Sequence, residues 1–230
     1  MKLLLKLLLP LFVSHSASCQ NHEELREKMV RRQLEGRGIK HEPTLKAMGK
    51  VERHRFIPVD YRDQAYEDTP LPIGYGQTIS QPYVVATMTE LIQPRPGFRV
   101  LEIGAGSGYQ AAVLAEIVDS VYTIEIVKEL GERSRKLLKE LGYNNVRLII
   151  GDGYKGLPEK APFDAILVTA APEEIPPALI EQLKEGGKMV IPVGPARDIQ
   201  SLKLVEKRNG KLKSREVFPV RFVPFTRKKD

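Results

Sequence analysis

The sequence is short of the residues that staple or metal-load a small protein. A single cysteine, Cys19, excludes an intramolecular disulfide. The four histidines (His15, His22, His41 and His54) have no cysteine or carboxylate at ligand spacing, so no metal site is expected. Internal repeats and low-complexity tracts are absent, and the apolar run near the start is too short to span a bilayer. With 42% hydrophobic and 28% charged residues, disordered, collagen-like and membrane-bundle classes are excluded. The 230 residues suit one domain, or one core with a modest appendage.

Residues 1–19 differ from the rest. Lys2 and Lys6 precede the apolar run Leu7 to Val13, and Ser16-Ala17-Ser18 forms a small-residue tail before Cys19. That is the order of an export signal, with Cys19 a candidate lipid acceptor, although Ser16 stands where such sites usually want leucine. The formal net charge is +7, which first suggests a nucleic-acid partner. Setting aside Lys2 and Lys6 lowers 36 basic residues to 34 against 29 acidic ones, a net of +5.

The chain falls into three stretches: the leader 1–19, an N-terminal helical and loop segment over 20–95, and a core over 96–230 in the same domain. Leu25, Met29 and Leu34 mark an apolar face on a helix over 22–35, and a short helix is expected over 43–51. Pro58, Pro70, Pro72, Gly74 and Gly76 predict an irregular but ordered segment over 56–81, followed by a helix over 82–93. From residue 98 strands and helices alternate: strands at 98–103, 121–126, 146–150, 165–169 and 188–193, helices at 109–118, 128–141 and 177–184. Asn209-Gly210 between two alternating runs predicts a hairpin. The expected fold is α/β, a doubly wound and mostly parallel sheet with an N-terminal helical segment and a C-terminal antiparallel hairpin.

Such sheets bind ligands beyond the carboxyl ends of their strands. The first strand ends in Glu102-Ile103-Gly104-Ala105-Gly106-Ser107-Gly108-Tyr109, the second in Glu125, the third in Gly151-Asp152-Gly153 and the fourth in Thr169-Ala170-Ala171-Pro172. Tyr109 stands where a dinucleotide fingerprint needs glycine or alanine, and Tyr109-Gln110 fails the lysine and hydroxyl requirement of a P-loop. No lysine or arginine lies between Glu102 and Gln110, so the loop is not built around a pyrophosphate. A small ribose-bearing cofactor that tolerates acidic surroundings fits best. S-adenosylmethionine meets this description: Glu102 for its amino end, Glu125 for its ribose, Asp152 near its adenine, and loop amides from Gly104 to Gly108 for its carboxylate. Upstream, Leu71 to Pro82 is rich in glycine and hydroxyls and can fold over the strand ends to carry an acceptor.

These residues resemble the protein-L-isoaspartate O-methyltransferase family. The likeness runs through Val51 to Pro58, Ala65 to Asp68, Pro72 to Pro82, Val100 to Leu114, Ala161 to Ala165, Val168 to Ala171, Ile191 to Gly194 and Phe222 to Thr226. The glycine loop is generic to class I methyltransferases, whereas Gln77-Thr78-Ile79-Ser80-Gln81-Pro82 is specific to this family. The resemblance implies methyl transfer from S-adenosylmethionine to the free carboxylate of L-isoaspartyl residues in damaged proteins, whose ester then collapses to a succinimide. It implies Ser80 as the active-site position, Thr78, Ile79 and Thr226 on the substrate side, and Glu102, Gly104, Gly106, Gly108, Glu125, Asp152 and Gly153 around the cofactor.

A carboxylate is already ionised at neutral pH, so the reaction needs no general base. Ser80 is therefore expected to position the acceptor by hydrogen bonding, since no partner base stands at triad-like spacing. His54 is expected to pack or cap. Two other readings stay open: a class I methyltransferase acting on RNA or a small molecule, and a non-catalytic binding protein of the same fold. The partners expected are damaged proteins, with no nucleic acid, no metal and a monomeric chain. Cofactor supply favours the cytoplasm, and residues 1–19 favour export.

Overall fold

Five apolar runs become the parallel centre of a seven-stranded sheet in the computed structural model, which describes residues 22–196 and 198–227. The leader, with its signal and lipid-acceptor readings, lies outside the described residues. In chain order the strands are β1 (Leu71–Gly74), β2 (Gln77–Ile79), β3 (Arg99–Ile103), β4 (Ser120–Glu125), β5 (Val146–Ile150), β6 (Phe163–Val168), β7 (Leu183–Val193), β8 (Gln200–Arg208) and β9 (Lys211–Val220). The helices are α1 (22–28), α2 (Glu42–Lys50), α3 (Pro82–Ile92), α4 (Tyr109–Ala115), α5 (Lys128–Glu140) and α6 (Pro177–Gln182). β1 and β2 form a separate antiparallel pair, and the large sheet runs β5-β4-β3-β6-β7-β8-β9.

β3 sits between β4 and β6, each pairing in parallel register, so the connections wind outward from it in both directions. The switch point therefore lies at the carboxyl end of β3, where the glycine loop begins. Alternation along the strands feeds two cores: Val100, Ala165 and Leu167 pack on one face, and Leu101, Ile103, Ile166 and Val168 on the other. The first face also receives Met29, Met48 and Met88, so the N-terminal helices share a core with the sheet. Each such fully buried aliphatic side chain contributes about 1.5–3 kcal/mol.

The alternating strands and helices and the closing hairpin stand as expected, and Asn209-Gly210 turns with both φ angles positive, at 53° and 69°. Pro192 lies beyond the β6 ladder, whose last pair is Leu167 with Val190, so its missing N–H costs no sheet bond there.

Three elements differ from expectation. The first helix changes to a π turn over Met29–Leu34 and a 3₁₀ turn over Glu35–Arg37, and these bury both Met29 and Leu34. They stand five positions apart, the span of one i→i+5 hydrogen bond. The irregular segment contains the β1–β2 hairpin, turned at Gly74, Tyr75 and Gly76 with φ of 91°, 55° and 68°. Gly186-Gly187 does not stop a helix, because α6 ends earlier, at Gln182. The pair instead bends β7 past its own backbone: a Cβ on Gly187 would stand 2.8 Å from the Lys184 carbonyl oxygen.

Candidate active site

The loop after β3 is drawn tightly into the sheet. Gly104 and Ala105 both donate to the Ile124 carbonyl oxygen, at 2.8 and 3.1 Å. Gly104 adopts φ +97°, and a Cβ there would overlap the Thr169 hydroxyl, so glycine is required on both counts. The Thr169 Oγ1 in turn lies 2.9 Å from the Ile103 carbonyl oxygen and 2.6 Å from that of Gly104, fastening β6 to the loop. Gly108 caps α4 at φ +86°, with its Cα face against Leu138.

Glu125 ends β4 and is 5% exposed. Its carboxylate accepts the amides of Gly106 at 2.8 Å and Val127 at 2.9 Å, which fixes its orientation and leaves further lone pairs for a ligand hydroxyl. The amides of Gly108 and Tyr109 also have acceptors, in the Ala105 carbonyl and the Ser107 hydroxyl. The loop amides expected to meet a ligand carboxylate are thus mostly engaged within the chain. Ser107 is the residue of this loop whose amide has no such bond among the described residues.

Glu102, on β3, is fully buried, and neither carboxylate oxygen has a hydrogen-bond partner. Burial pushes its carboxyl up to about 8, helped by the charge of Glu125 and opposed by the neighbouring Thr123. At neutral pH it is a protonated acid, able to release its proton to solvent when a cation arrives beside it.

Thr78, Ile79, Ser80, Glu102, Gly104, Gly106, Glu125, Gly153 and Thr226 line one cleft of about 790 Å³ at this end of the sheet. Gly153 holds its place because a Cβ would overlap the Ile103 side chain. Two sequence-predicted residues are not in its lining: Gly108, in the α4 cap, and Asp152, which directly precedes Gly153. The Asp152 carboxylate accepts the Tyr154 amide at 2.9 Å and lies 3.8 Å from the Arg227 guanidinium, which also stacks on the Tyr154 ring.

A second cleft of about 1220 Å³ adjoins the first, and the two share Thr78, Ser80, Thr169 and Val223. Its walls include Tyr83, Phe218 and Phe222 with Arg37 and Arg221 at the rim. Ser80 therefore stands at the junction of two cavities. No base is hydrogen-bonded to its hydroxyl among the described residues, and none of those residues forms a group of three metal-ligating side chains. His54 lies elsewhere, stacked on His22 at 4.1 Å and 2.8 Å from the Tyr66 hydroxyl.

A family model described as Protein-L-isoaspartate(D-aspartate) O-methyltransferase (PCMT) matches residues 24–230. The chain belongs to this family. A protein-L-isoaspartate O-methyltransferase of Opitutus terrae is 60% identical over 98% of this chain and 97% of its own length. One from Gloeobacter violaceus is 55% identical over 87% of this chain and 98% of that one. Among solved structures, a putative protein-L-isoaspartate O-methyltransferase from Plasmodium falciparum, in complex with S-adenosyl-L-homocysteine, superposes with a TM-score of 0.75 at 29% identity. That likeness covers 90% of this chain and 99% of the other.

Sequence reasoning missed several residues of this methyltransferase site. Val223, Pro224 and Phe225 form a strap across the first cleft, held by the Ala171 amide donating to Val223 at 2.8 Å and the Phe225 amide donating to Ala171 at 2.9 Å. Main-chain bonding of this kind leaves no side-chain signature. Asp68 was also missed: it accepts the Tyr83 amide at 2.9 Å and the Gln81 amide group at 3.3 Å, and pairs with Arg37. It caps α3 from 15 residues upstream in sequence, immediately beside Ser80.

Proposed function

We propose that this chain methylates the free carboxylate of L-isoaspartyl residues in damaged proteins, starting their return to normal aspartate through a succinimide. It is an S-adenosylmethionine-dependent protein-L-isoaspartate O-methyltransferase, and the donor carries an electrophilic methyl on its sulfonium. The observation that carries the assignment of sites is the junction of two clefts at Ser80. One cleft offers acidic and glycine-rich walls, and the other an aromatic, arginine-bearing wall.

The first cleft fits the cofactor on the chemistry of its acceptors. Glu102 presents two buried oxygens without donors, suited to the ammonium, and Glu125 presents an oriented carboxylate, suited to ribose hydroxyls. Gly104 and Gly153 pack too tightly against Thr169 and Ile103 to carry a side chain, and with Gly106 they form the turns that line the cleft, while Gly108 sets the start of α4. Asp152 acts by holding the turn at Tyr154 and the strap at Arg227. Ser107 offers its free amide to the cofactor carboxylate.

The second cleft takes the acceptor. Ser80 and Thr78 offer hydroxyls at the junction, Ile79 anchors the hairpin in the core, and Thr226 meets the acceptor from the wall of the first cleft. The attacking carboxylate is ionised already, so these residues contribute placement and water exclusion rather than proton transfer. The basic excess then serves only to ease approach of acidic peptide. The segments 20–95 and 96–230 act as one domain around the shared core. We place the enzyme in the cytoplasm, where its cofactor is made, as a monomer without metal or nucleic acid; export through residues 1–19 is the competing reading. No helix among the described residues is long and apolar enough to cross a membrane.

Transfer of labelled methyl to an isoaspartyl peptide, with the aspartyl peptide as control, tests the reading. Label in the isoaspartyl peptide alone is expected; label in neither would overturn it.

A further inference from the structure

We infer that Gln110 is a cofactor-selecting residue that accepts a hydrogen bond from the α-ammonium of the methionine end of S-adenosylmethionine. This rests on the cofactor reading above and adds a residue that neither the glycine loop nor the acidic strand ends supply.

Gln110 is the second residue of α4, 7% exposed, and it lines the first cleft. Its orientation follows from its neighbours. The Thr89 hydroxyl on α3 donates its only hydrogen to the Val85 carbonyl oxygen, at 2.8 Å. Towards Gln110 it can therefore only accept, so the 2.9 Å contact is made by the amide nitrogen, Nε2. The amide oxygen is thereby turned away from Thr89, and it is buried with no donor. An unmatched buried acceptor is costly, so a ligand that supplies an N–H there is favoured over one that does not.

The ligand chemistry is set by the other orphan acceptors in the cleft. Glu102 lines the same cleft, and its oxygens also have no hydrogen-bond partner among the described residues. Once an arriving cation displaces the Glu102 proton to solvent, its carboxylate and the Gln110 amide oxygen are two acceptors that call for a group with several N–H bonds and a positive charge. On the cofactor that group is the ammonium. Its carboxylate would be repelled by both acceptors, and its ribose is taken by Glu125 at the neighbouring strand end. The opposing role for Gln110 is that of a strut joining α3 to α4 through Thr89, with no ligand contact.

The test measures binding rather than turnover. Calorimetry gives Kd for S-adenosylhomocysteine and for its analogue lacking only the α-amino group, against wild type, Gln110→Met and Gln110→Glu. The Met variant is expected to bind S-adenosylhomocysteine about tenfold or more weakly while binding the deaminated analogue within about twofold of wild type. The Glu variant, which keeps an acceptor and adds charge, is expected to widen the preference for the amino-bearing ligand. It decides the matter by itself if Met disrupts the α3–α4 contact. Equal loss of both ligands, or an unchanged preference in the variants, overturns the inference in favour of the strut. Failure of the wild type to bind S-adenosylhomocysteine overturns the cofactor reading itself, a distinct result.

Discussion

The hydroxyl of Thr169 lies 2.6 Å from the carbonyl oxygen of Gly104, in the space that a Cβ on Gly104 would enter. A Gly104→Ala chain therefore pays twice, in steric overlap and in left-handed backbone strain of about 1–2 kcal/mol. S-adenosylhomocysteine affinity should fall at least about tenfold, with a lowered Tm. Adding Thr169→Ala removes the overlap but not the strain, so the double variant should recover part of the loss. Calorimetry and thermal melts on the four chains test this; strict additivity would show that the two residues do not share the space.

Glu102 couples the site to pH. Its carboxyl is raised in the folded chain to about 8, well above its value in the unfolded chain. The folded state therefore holds a proton that the unfolded state has already lost. The resulting stability is complete below the ordinary carboxyl range and is lost progressively as pH rises through about 8. Without ligand, Tm should fall from pH 5 to pH 8 more steeply in the wild type than in Glu102→Gln. S-adenosylhomocysteine binding at pH 7 should release a proton in the wild type only, read from binding enthalpies in buffers of different ionisation enthalpy.

Ser80→Ala should slow methylation by roughly 10- to 100-fold through lost placement, a hydrogen bond's worth of stabilisation. S-adenosylhomocysteine affinity should stay within about twofold. Mass spectrometry of single-turnover reactions should find no methyl or acyl group on Ser80 in the wild type; a trapped adduct would make it a nucleophile.

Asp68 holds the start of α3, and with it the junction, by bonds to Tyr83, Gln81 and Arg37. Asp68→Ala should lower kcat/KM for an isoaspartyl peptide by about tenfold, in line with the loss of a helix cap, while cofactor affinity is nearly unchanged. Equal losses in both would place its influence on the cofactor side instead.

Much of this was legible because it depends on local chemistry. The strand–helix alternation follows from apolar runs such as Val100 to Ile103 and Val121 to Ile124. Gly104 and Glu125 were legible as a pair because parallel strands bring their ends together. What escaped depends on distant backbone. Asp68 caps a helix from another segment, Ala171 pairs with a strap more than 50 residues on, and the π turn at Met29–Leu34 follows from what its side chains must reach. The contact of Asp152 with Arg227 likewise depends on a segment more than 70 residues on, which no local pattern announces.

The strap over Val223 to Thr226 also bears on how the site is completed. Every strand of the large sheet is complete by Val220, so the strap adds no strand to it and meets it through the bridge of Pro224 with Ala171. The cofactor cleft lacks a wall unless those residues join Ala171. A chain with its whole sheet formed but its strap undocked is thus a folded protein without a closed donor pocket, and docking of the strap is the step that completes the site.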